Sequence, residues 1–163
     1  VLDLGCGPGT QLIQIVDKIR FGYGVDPAEE MIRRARDEAA GCPNVKFSVG
    51  SATHLPESIF AAGINKIFSN YALHHLLDQD KETAIKSLSE ILPANGLLIL
   101  GDLMFTDDPQ KHDDLYSFVG YGPESDTPAY VEKLQQMFAL AGMTTSTYIL
   151  NPLVGVIEGR KIQ

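Results

Sequence analysis

Basic residues are few in this sequence, and the balance of charge restricts the partners that the protein can have. Its 163 residues include 13 Lys and Arg against 21 Asp and Glu, for a formal net charge of -8. Proteins that bind nucleic acids draw most of their affinity from basic surfaces, so we expect no nucleic-acid partner. The sequence also lacks an apolar run of membrane-spanning length and a recognisable signal peptide, so we expect no membrane partner.

Cysteine is scarce as well, since the sequence contains only Cys6 and Cys42. Two cysteines do not make a disulfide framework, which favours a reducing, cytoplasmic location. No repeat or low-complexity segment is visible, and 44% apolar residues are enough to fill one core. The length therefore predicts a single domain over residues 1–163. We expect the protein to be a monomer or a homodimer.

The beginning of the sequence predicts a strand, a tight turn and a helix. Residues 1–4 are a short apolar run with one acid, and a helical pattern of apolar residues follows over residues 11–19. The turn between them holds three glycines, Gly5, Gly7 and Gly9. Such a turn is either a compact connection or a place where a ligand approaches the backbone closely. A dinucleotide fingerprint would need a glycine where this sequence has Thr10, which disfavours an NAD site.

A second predicted strand, over residues 21–26, ends in an acid. A carboxylate at that position can accept hydrogen bonds from both hydroxyls of a ribose, which is one interpretation of Asp26. The other is a helix N-cap, because Pro27 and Glu29 suit the first and third positions of a helix over residues 27–40. Together with the glycine turn, the ribose interpretation is the better one.

The middle of the chain continues as alternating strands and helices. Strands are predicted over residues 45–50, 64–70 and 97–102, and a helix over residues 80–92. The strand over residues 97–102 is almost entirely apolar, as expected of a strand covered on both faces. Asp102 stands at its predicted carboxyl end, where ligands bind in open α/β sheets, and is a candidate for the substrate site.

Two adjacent histidines, His74 and His75, follow the fourth strand. We expect no metal site there, because neighbouring side chains diverge on a strand or a helix and no further ligand lies at a suitable spacing. His75 is as well suited to cap or pack against the next helix as to take part in a reaction.

The end of the sequence is less regular. Residues 103–126 are rich in acids and aromatic residues, which is typical of a solvated surface or of a substrate lid. Thr127 and Pro128 suit the start of a last helix. Two strands, over residues 144–150 and 153–162, are joined so closely that they must run antiparallel.

The heptapeptide Asp3-Leu4-Gly5-Cys6-Gly7-Pro8-Gly9 closely resembles the first motif of class I S-adenosylmethionine-dependent methyltransferases. The order of the predicted elements is similar to that family over nearly the whole chain. Residues 150–152 and 156–158 look like small bacterial methyltransferases associated with methionine-to-cysteine sulfur recycling. The resemblance implies a Rossmann-like α/β fold with a doubly wound, seven-stranded, mostly parallel sheet, a C-terminal antiparallel hairpin and helices on both faces. Family members usually carry an N-terminal helical segment over the substrate, which we expect to be missing from a sequence that begins inside the first strand.

The same resemblance implies a set of functional residues. The cofactor-binding residues it implies are Asp3, Gly5, Cys6, Gly7, Gly9, Asp26, Pro27, Met31, Ser51, Ala52, Asn70 and Tyr71. In the family, the acid of the first strand lies near the methionyl amino group. An Asp commonly meets the adenine amino group where this sequence has Ser51, which makes a weaker contact. The catalytic candidates are Tyr71, His74, His75 and Asp102.

The implied reaction is the direct displacement of a methyl group from S-adenosylmethionine by a small-molecule acceptor. A base is needed only if the acceptor carries a proton at neutral pH. Two alternatives stay open. One is a protein that binds S-adenosylmethionine or S-adenosylhomocysteine without catalysis, and the other is an NAD-dependent dehydrogenase.

Overall fold

The computed structural model of the protein describes residues 1–112, 115, 122 and 125–163. The strands are β1 (Leu2–Leu4), β2 (Gly22–Asp26), β3 (Val45–Val49), β4 (Lys66–Asn70), β5 (Leu97–Phe105), β6 (Ala129–Tyr130), β7 (Met143–Asn151) and β8 (Val154–Lys161). The α-helices are α1 (Thr10–Gln14), α2 (Glu29–Glu38), α3 (Asp78–Ile91) and α4 (Val131–Leu140). Short 3₁₀ turns lie at Val16–Lys18, Glu57–Ile59, Leu73–His75 and Pro109–His112.

The strands form one twisted sheet in the order β3-β2-β1-β4-β5-β8-β7, with the short β6 paired to the end of β5. The strands from β3 to β5 are parallel, whereas β8 runs antiparallel to both β5 and β7. This confirms the predicted mostly parallel sheet and its reversed C-terminal hairpin. The carboxyl ends of β1, β2 and β4 meet at one edge, where ligands bind in open α/β sheets.

Helices cover both faces of the sheet, as successive residues of β4 show. Ile67 belongs to an apolar cluster with Leu88 of α3 and Phe138 of α4. Phe68, the next residue along the strand, packs against a second cluster that includes Ile32 of α2. Because successive side chains of a strand point to opposite faces, the two clusters lie on opposite sides of the sheet. None of the helices in the described part of the chain combines the length and apolar character needed to cross a membrane.

The two helices nearest the glycine turn begin or end differently from the prediction. The helix predicted over residues 11–19 is wrong in length, because α1 ends at Gln14 and a separate 3₁₀ turn follows at Val16–Lys18. Several β-branched residues lie in this segment, and such residues favour helices weakly. The helix predicted to begin at Pro27 begins at Glu29, with Ala28 rather than Asp26 as its N-cap residue.

Tertiary pairing also changes two predicted boundaries in the C-terminal half. Strand β5 extends past Asp102 to Phe105, because its last residues pair with β8 and β6. Asp102 is therefore not at the end of its strand, which corrects the prediction. Thr127 does not cap α4, whose N-cap residue is Tyr130. The Thr127 hydroxyl instead lies within hydrogen-bond distance of the carbonyl oxygens of His74 and Leu76, to either of which it can donate its proton.

The predicted lid over residues 103–126 lies partly outside the described residues. Residues 103–105 belong to β5 rather than to a lid, and residues 109–112 form a 3₁₀ turn. Residues 113, 114, 116–121, 123 and 124 lie outside the described part of the chain. A lid in this segment stays a prediction.

Candidate functional site

The glycine turn after β1 is fastened to β2 by backbone hydrogen bonds. The N–H groups of Gly5 and Cys6 both donate to the Val25 carbonyl oxygen, at 2.8 and 3.1 Å. The N–H of Gly7 donates to Oδ2 of Asp26 at 2.9 Å. The turn is thus held beside the carboxyl end of β2.

The glycines of this turn serve different purposes. Gly5 has a φ of 75°, and a Cβ placed on it would lie 2.5 Å from the Cβ of Ala72. Gly7 has a φ of 50°, but a Cβ there would meet nothing within 4 Å. Gly5 is therefore required for packing against the loop after β4. Gly7 leaves open space beside its backbone, which suits the close approach of a ligand.

The Asp26 carboxylate is almost fully buried, and both of its oxygens are used. Oδ1 accepts a hydrogen bond from the Ala28 N–H at 2.9 Å, and Oδ2 accepts the one from Gly7. Each carboxylate oxygen can accept a further bond, so Asp26 orders the backbone and still offers acceptors to a ligand.

The Asp3 carboxylate lies beneath the turn and is 2% exposed. Its Oδ2 is fully buried and has no hydrogen-bond partner among the described residues. Burial, followed by repulsion from Asp26, raises the pKa of Asp3 to about 7. A buried oxygen without a partner is costly, and a cationic ligand group would remove that cost. The arrangement fits the amino group that the family resemblance implies at this place.

The thiol of Cys6 is inaccessible to reactants in the folded protein. It is 7% exposed, and burial, followed by the charges of Asp3 and Asp26, raises the pKa of its thiol. A neutral, buried thiol packs as a small apolar group. Cys6 can therefore contact a cofactor only through the turn to which it belongs.

A pocket of about 310 Å³ opens above the turn at the carboxyl edge of the sheet. The predicted site residues that line it are Gly5, Asp26, Pro27, Ser51, Ala52, Tyr71 and His75. The wall is completed by five further residues, Leu4, Gly50, Ala72, Leu73 and Leu76. The sequence thus assigned to one site residues from four separate segments, and the structure brings them together.

Several of the predicted residues do not line this pocket. Cys6, Gly7 and Gly9 belong to the turn, and Met31 lies on α2. The Asn70 side-chain amide donates to Oε1 of Gln11 at 2.7 Å. A larger cavity of about 560 Å³ lies at the opposite edge of the sheet, where β1, β2 and β4 begin, and none of the predicted residues lines it.

Ser51 stands where the family commonly has an acid, and its hydroxyl is used locally. Its Oγ accepts a hydrogen bond from the His54 N–H at 3.1 Å and lies 3.3 Å from the Thr53 hydroxyl. The neighbouring backbone of Ala52 faces the same pocket. A ligand contact by Ser51 would therefore compete with a turn that this residue already stabilises.

The loop after β4 is built around the buried carboxylate of Asp102. Its oxygens accept hydrogen bonds from the N–H groups of Leu73, His74 and Leu103, at 2.8, 3.2 and 2.8 Å. The His74 Nδ1 also bonds to Oδ1 of Asp102. Asp102 is 1% exposed, so it holds the loop in place and does not face the open cleft in which the sequence had placed it.

Tyr71 begins the same loop in an unusual conformation. Its φ is 50°, which is strained for a residue with a side chain, and its N–H donates to the Gly101 carbonyl oxygen at 2.9 Å. The Tyr71 side chain is 54% exposed and reaches the pocket. Of the four catalytic candidates, Tyr71 and His75 are accessible, whereas His74 and Asp102 are buried.

The two histidines converge on one acid that the sequence did not single out. Oδ1 of Asp126 lies 2.9 Å from His75 Nδ1 and 3.8 Å from His74 Nε2, and the two rings have centroids 4.0 Å apart. The expectation that adjacent histidines diverge is wrong here. They lie in a 3₁₀ turn, and the N–H of Thr127 donates to the His74 carbonyl oxygen at 2.7 Å, which brings Asp126 alongside.

The buried Lys81 strengthens this connection. Its ammonium donates to the carbonyl oxygens of Leu76 and Thr127 and lies 3.3 Å from Asp78. Burial raises the pKa of Asp126, but hydrogen bonds from the Gly122 N–H and the Ser125 hydroxyl, and the neighbouring imidazoles, lower it below the ordinary value. Asp126 is therefore an ionised carboxylate. Sequence patterns could not reveal it, because it is one acid among many in an acidic segment.

The fold and the site define a class of protein, the Rossmann-like α/β proteins with a reversed final hairpin and a pocket at the carboxyl edge of the sheet. Residues 1–142 match the family model described as a methyltransferase domain. The chain belongs to this methyltransferase family, and it is a class I methyltransferase whose cofactor is S-adenosylmethionine. The orphaned oxygen of Asp3 and the open space beside Gly7 fit that cofactor.

Known proteins of this kind resemble the chain over almost its whole length. An uncharacterized methyltransferase of Bacillus pumilus is 30% identical over 168 residues, which cover 99% of this chain and 76% of the relative. The structure of the YcgJ protein of Bacillus subtilis matches with a TM-score of 0.79 at 20% identity, over 99% of this chain and 91% of that one. The magnesium protoporphyrin IX methyltransferase of Synechocystis PCC 6803, solved with bound SAH, matches with a TM-score of 0.76 at 17% identity, over 98% and 73% of the two chains. The two structures show likeness of fold alone.

Proposed function

We propose that the protein transfers a methyl group from S-adenosylmethionine to a small-molecule acceptor. The observation that carries the proposal is the buried, unpartnered oxygen of Asp3, which lies two residues before Gly5 in a turn that borders the same pocket as Asp26. The net charge of -8 disfavours a nucleic-acid acceptor. The magnesium protoporphyrin IX methyltransferase, by its name, acts on a small molecule, which supports the same class of acceptor here.

Each part of the cofactor has residues suited to it. Asp3 would pair with the amino group, and Asp26 would accept hydrogen bonds from the ribose hydroxyls. Ser51 and the backbone of Ala52 would contact the adenine, while the open backbone at Gly7 would lie against the cofactor. The bound cofactor supplies a methyl group on a sulfonium, which leaves as a neutral thioether.

The residues of the chain mainly align the acceptor and exclude water. Positioning of this kind lowers a displacement barrier substantially, because the reactants no longer need to find their geometry in solution. Tyr71 and His75 are exposed and line the pocket, so they are the candidates for contact with the acceptor. His74 and Asp102 hold the loop that carries both of them.

Label transfer from S-adenosylmethionine tests the class of acceptor. The full-length protein is incubated with methyl-labelled cofactor and a cell extract, which is then separated into small molecules, protein and nucleic acid. We expect the label among the small molecules, and we expect Gly7→Arg, which fills the open space beside the turn, to abolish it. Label found only in protein or nucleic acid would overturn the proposal. Binding without transfer to any fraction would indicate a non-catalytic binding protein.

A further inference from the structure

Three side chains at one end of the pocket present their ligand atoms to a common point. The two imidazoles of His74 and His75 and the carboxylate of Asp126 each offer one atom, and these atoms lie within 4.8 Å of one another. The side chains of His74 and Asp126 are each 6% exposed, whereas that of His75 is 55% exposed and faces the pocket. Two side chains of the cluster are therefore buried, and the third faces the open pocket.

The hydrogen bonding of His74 fixes which of its nitrogens faces Asp126. Nδ1 of His74 is bonded to Oδ1 of Asp102, whose oxygens also accept three backbone N–H bonds. The other ring nitrogen, Nε2, lies 3.8 Å from Oδ1 of Asp126, which is too long for a hydrogen bond. The space between these two atoms suits an ion that both of them can bind.

The surroundings of both buried groups are those of metal ligands. Metal-binding histidines commonly donate their second ring N–H to a carboxylate, which orients the ring and makes it more basic, as Asp102 does for His74. Asp126 is held in a similar way, because its Oδ2 accepts the Gly122 N–H at 2.7 Å, while its Oδ1 accepts the Ser125 hydroxyl at 3.1 Å and lies beside the histidines. The ring of His75 needs only a small adjustment, since its Nδ1 already points to the same oxygen.

We propose that His74 Nε2, His75 Nδ1 and Asp126 Oδ1 bind a divalent transition-metal ion of the Zn²⁺ type. Two imidazoles and one carboxylate suit Zn²⁺, Co²⁺ and similar ions, and three protein ligands leave a coordination position open for another molecule. The carboxylate of Asp126 balances part of the charge of such an ion. This inference goes beyond the proposed function, because the ion can bind whether or not a methyl group is transferred.

The open position would lie next to the cofactor pocket, since His75 belongs to both. A metal ion lowers the pKa of an oxygen or sulfur that binds to it, so that the atom gives up its proton to solvent near neutral pH. If the proposed function holds, on which this step rests, the acceptor would carry a hydroxyl or thiol group able to bind the ion.

Cobalt titration tests the site directly. Full-length protein without an affinity tag is stripped with a chelator and titrated with Co²⁺, whose visible absorption reports its coordination. We expect one Co²⁺ per chain, an absorption typical of four or five ligands, and displacement by Zn²⁺. His75→Gln should weaken Co²⁺ binding by more than about tenfold, because substitution of residues that merely orient the metal ligands already weakens metal binding by that factor. Asp126→Asn should weaken it as well.

His112 provides a matched control. It also contacts a carboxylate, that of Asp107, but no second histidine lies beside that pair among the described residues. His112→Gln should bind Co²⁺ as the wild type does. Because the His75 side chain is exposed, we expect His75→Gln to fold as the wild type does, and circular dichroism checks this.

Three results would overturn the site and leave a hydrogen-bonded His–Asp cluster. They are absence of Co²⁺ binding in the wild type, equal binding by the wild type and His75→Gln, and an equal loss of binding in His112→Gln. Methyl transfer is measured separately, so either result leaves the proposed function to be tested by itself.

Discussion

The backbone N–H of Gly7 donates a 2.9 Å hydrogen bond to Oδ2 of Asp26, which joins the turn after β1 to the tip of β2. The other oxygen of the same carboxylate accepts the Ala28 N–H just before α2. Asp26 thus orders the approach to the helix without being its N-cap residue, and it also borders the pocket. The N-cap interpretation of Asp26 is therefore wrong, and the ribose contact stays a prediction.

Removing the Asp26 carboxylate should weaken cofactor binding. Hydrogen bonds to a charged group contribute about 1.5–3 kcal/mol, so Asp26→Ala should raise the Kd for S-adenosylmethionine roughly ten- to a hundredfold. Calorimetric titration measures the change. Asp17→Ala is the control, because Asp17 is an exposed acid outside the pocket and its loss should leave the Kd unchanged. Equal affinity in the two variants would contradict a ribose contact by Asp26.

The charge state of Asp3 should make cofactor binding depend on pH. The pKa of Asp3 is raised to about 7, so the free protein carries a neutral carboxyl below that pH. An ammonium group pairs with the carboxylate form, and affinity for S-adenosylmethionine should therefore increase as pH rises through about 7. Titrations at several pH values measure this trend. Asp3→Asn should bind more weakly and lose the trend, and an unchanged trend in that variant would place its origin elsewhere.

The Asp3 carboxyl should also make the free energy of unfolding depend on pH, in the direction opposite to that of cofactor affinity. Because its pKa is higher in the folded protein than its ordinary value of 3.8, folding favours the protonated form. The contribution of this group to the free energy of unfolding is complete below that ordinary value and is lost as pH rises through about 7. Urea unfolding at acidic and alkaline pH should show the wild type losing stability relative to Asp3→Asn. A constant difference between the two proteins would contradict the raised pKa.

Alanine substitutions at Gly5 and Gly7 should separate folding from binding. Both residues have positive φ, which costs about 1–2 kcal/mol for a residue with a Cβ. Gly5→Ala also forces a methyl group against Ala72, and overpacking adds about 1–3 kcal/mol. Urea unfolding should show Gly5→Ala as the less stable variant, whereas titration should show that Gly7→Ala loses cofactor affinity while remaining folded. The reverse order of stabilities would contradict the assigned purposes of the two glycines.

The two thiols should react at different rates. Burial raises the pKa of Cys6, whereas Cys42 is partly exposed. A disulfide reagent should therefore modify Cys42 in the folded protein and Cys6 only after denaturation. Mass spectrometry of the modified peptides identifies the site. Rapid modification of Cys6 in the folded protein would show that the turn opens.

Much of the sheet was predictable because its signals are local. The apolar runs, the glycine turn and the short joint before β8 gave the order of the elements and the reversed hairpin. The start of α4 was not predictable, because Thr127 and Pro128 have the local chemistry of a helix start. Thr127 instead bonds to the His74 carbonyl oxygen, and Ala129 and Tyr130 pair with the end of β5. Those contacts depend on residues far away in the sequence.

The candidate site was predictable to a similar degree. Asp3, Asp26 and Ser51 could be assigned from motifs. The structure places Asp26 and Ser51 on one pocket, whereas Asp3 is buried and does not line it. The environment of Asp102 could not be predicted, because Asp102 accepts hydrogen bonds from three backbone N–H groups whose positions depend on how the loop after β4 folds. Asp126 was missed because it lies far along the chain from the histidines that it meets.

The most direct test of the central claim is calorimetric titration of the full-length protein with S-adenosylmethionine, S-adenosylhomocysteine and NAD. We predict saturable binding of the first two and none of NAD. Asp26 and Gly5 line the pocket, and the unpartnered oxygen of Asp3 and the open backbone of Gly7 each lie two residues from Gly5, which suits a sulfonium nucleoside with an amino group. Binding of NAD alone, or of none of the three, would contradict the assignment of this pocket to S-adenosylmethionine.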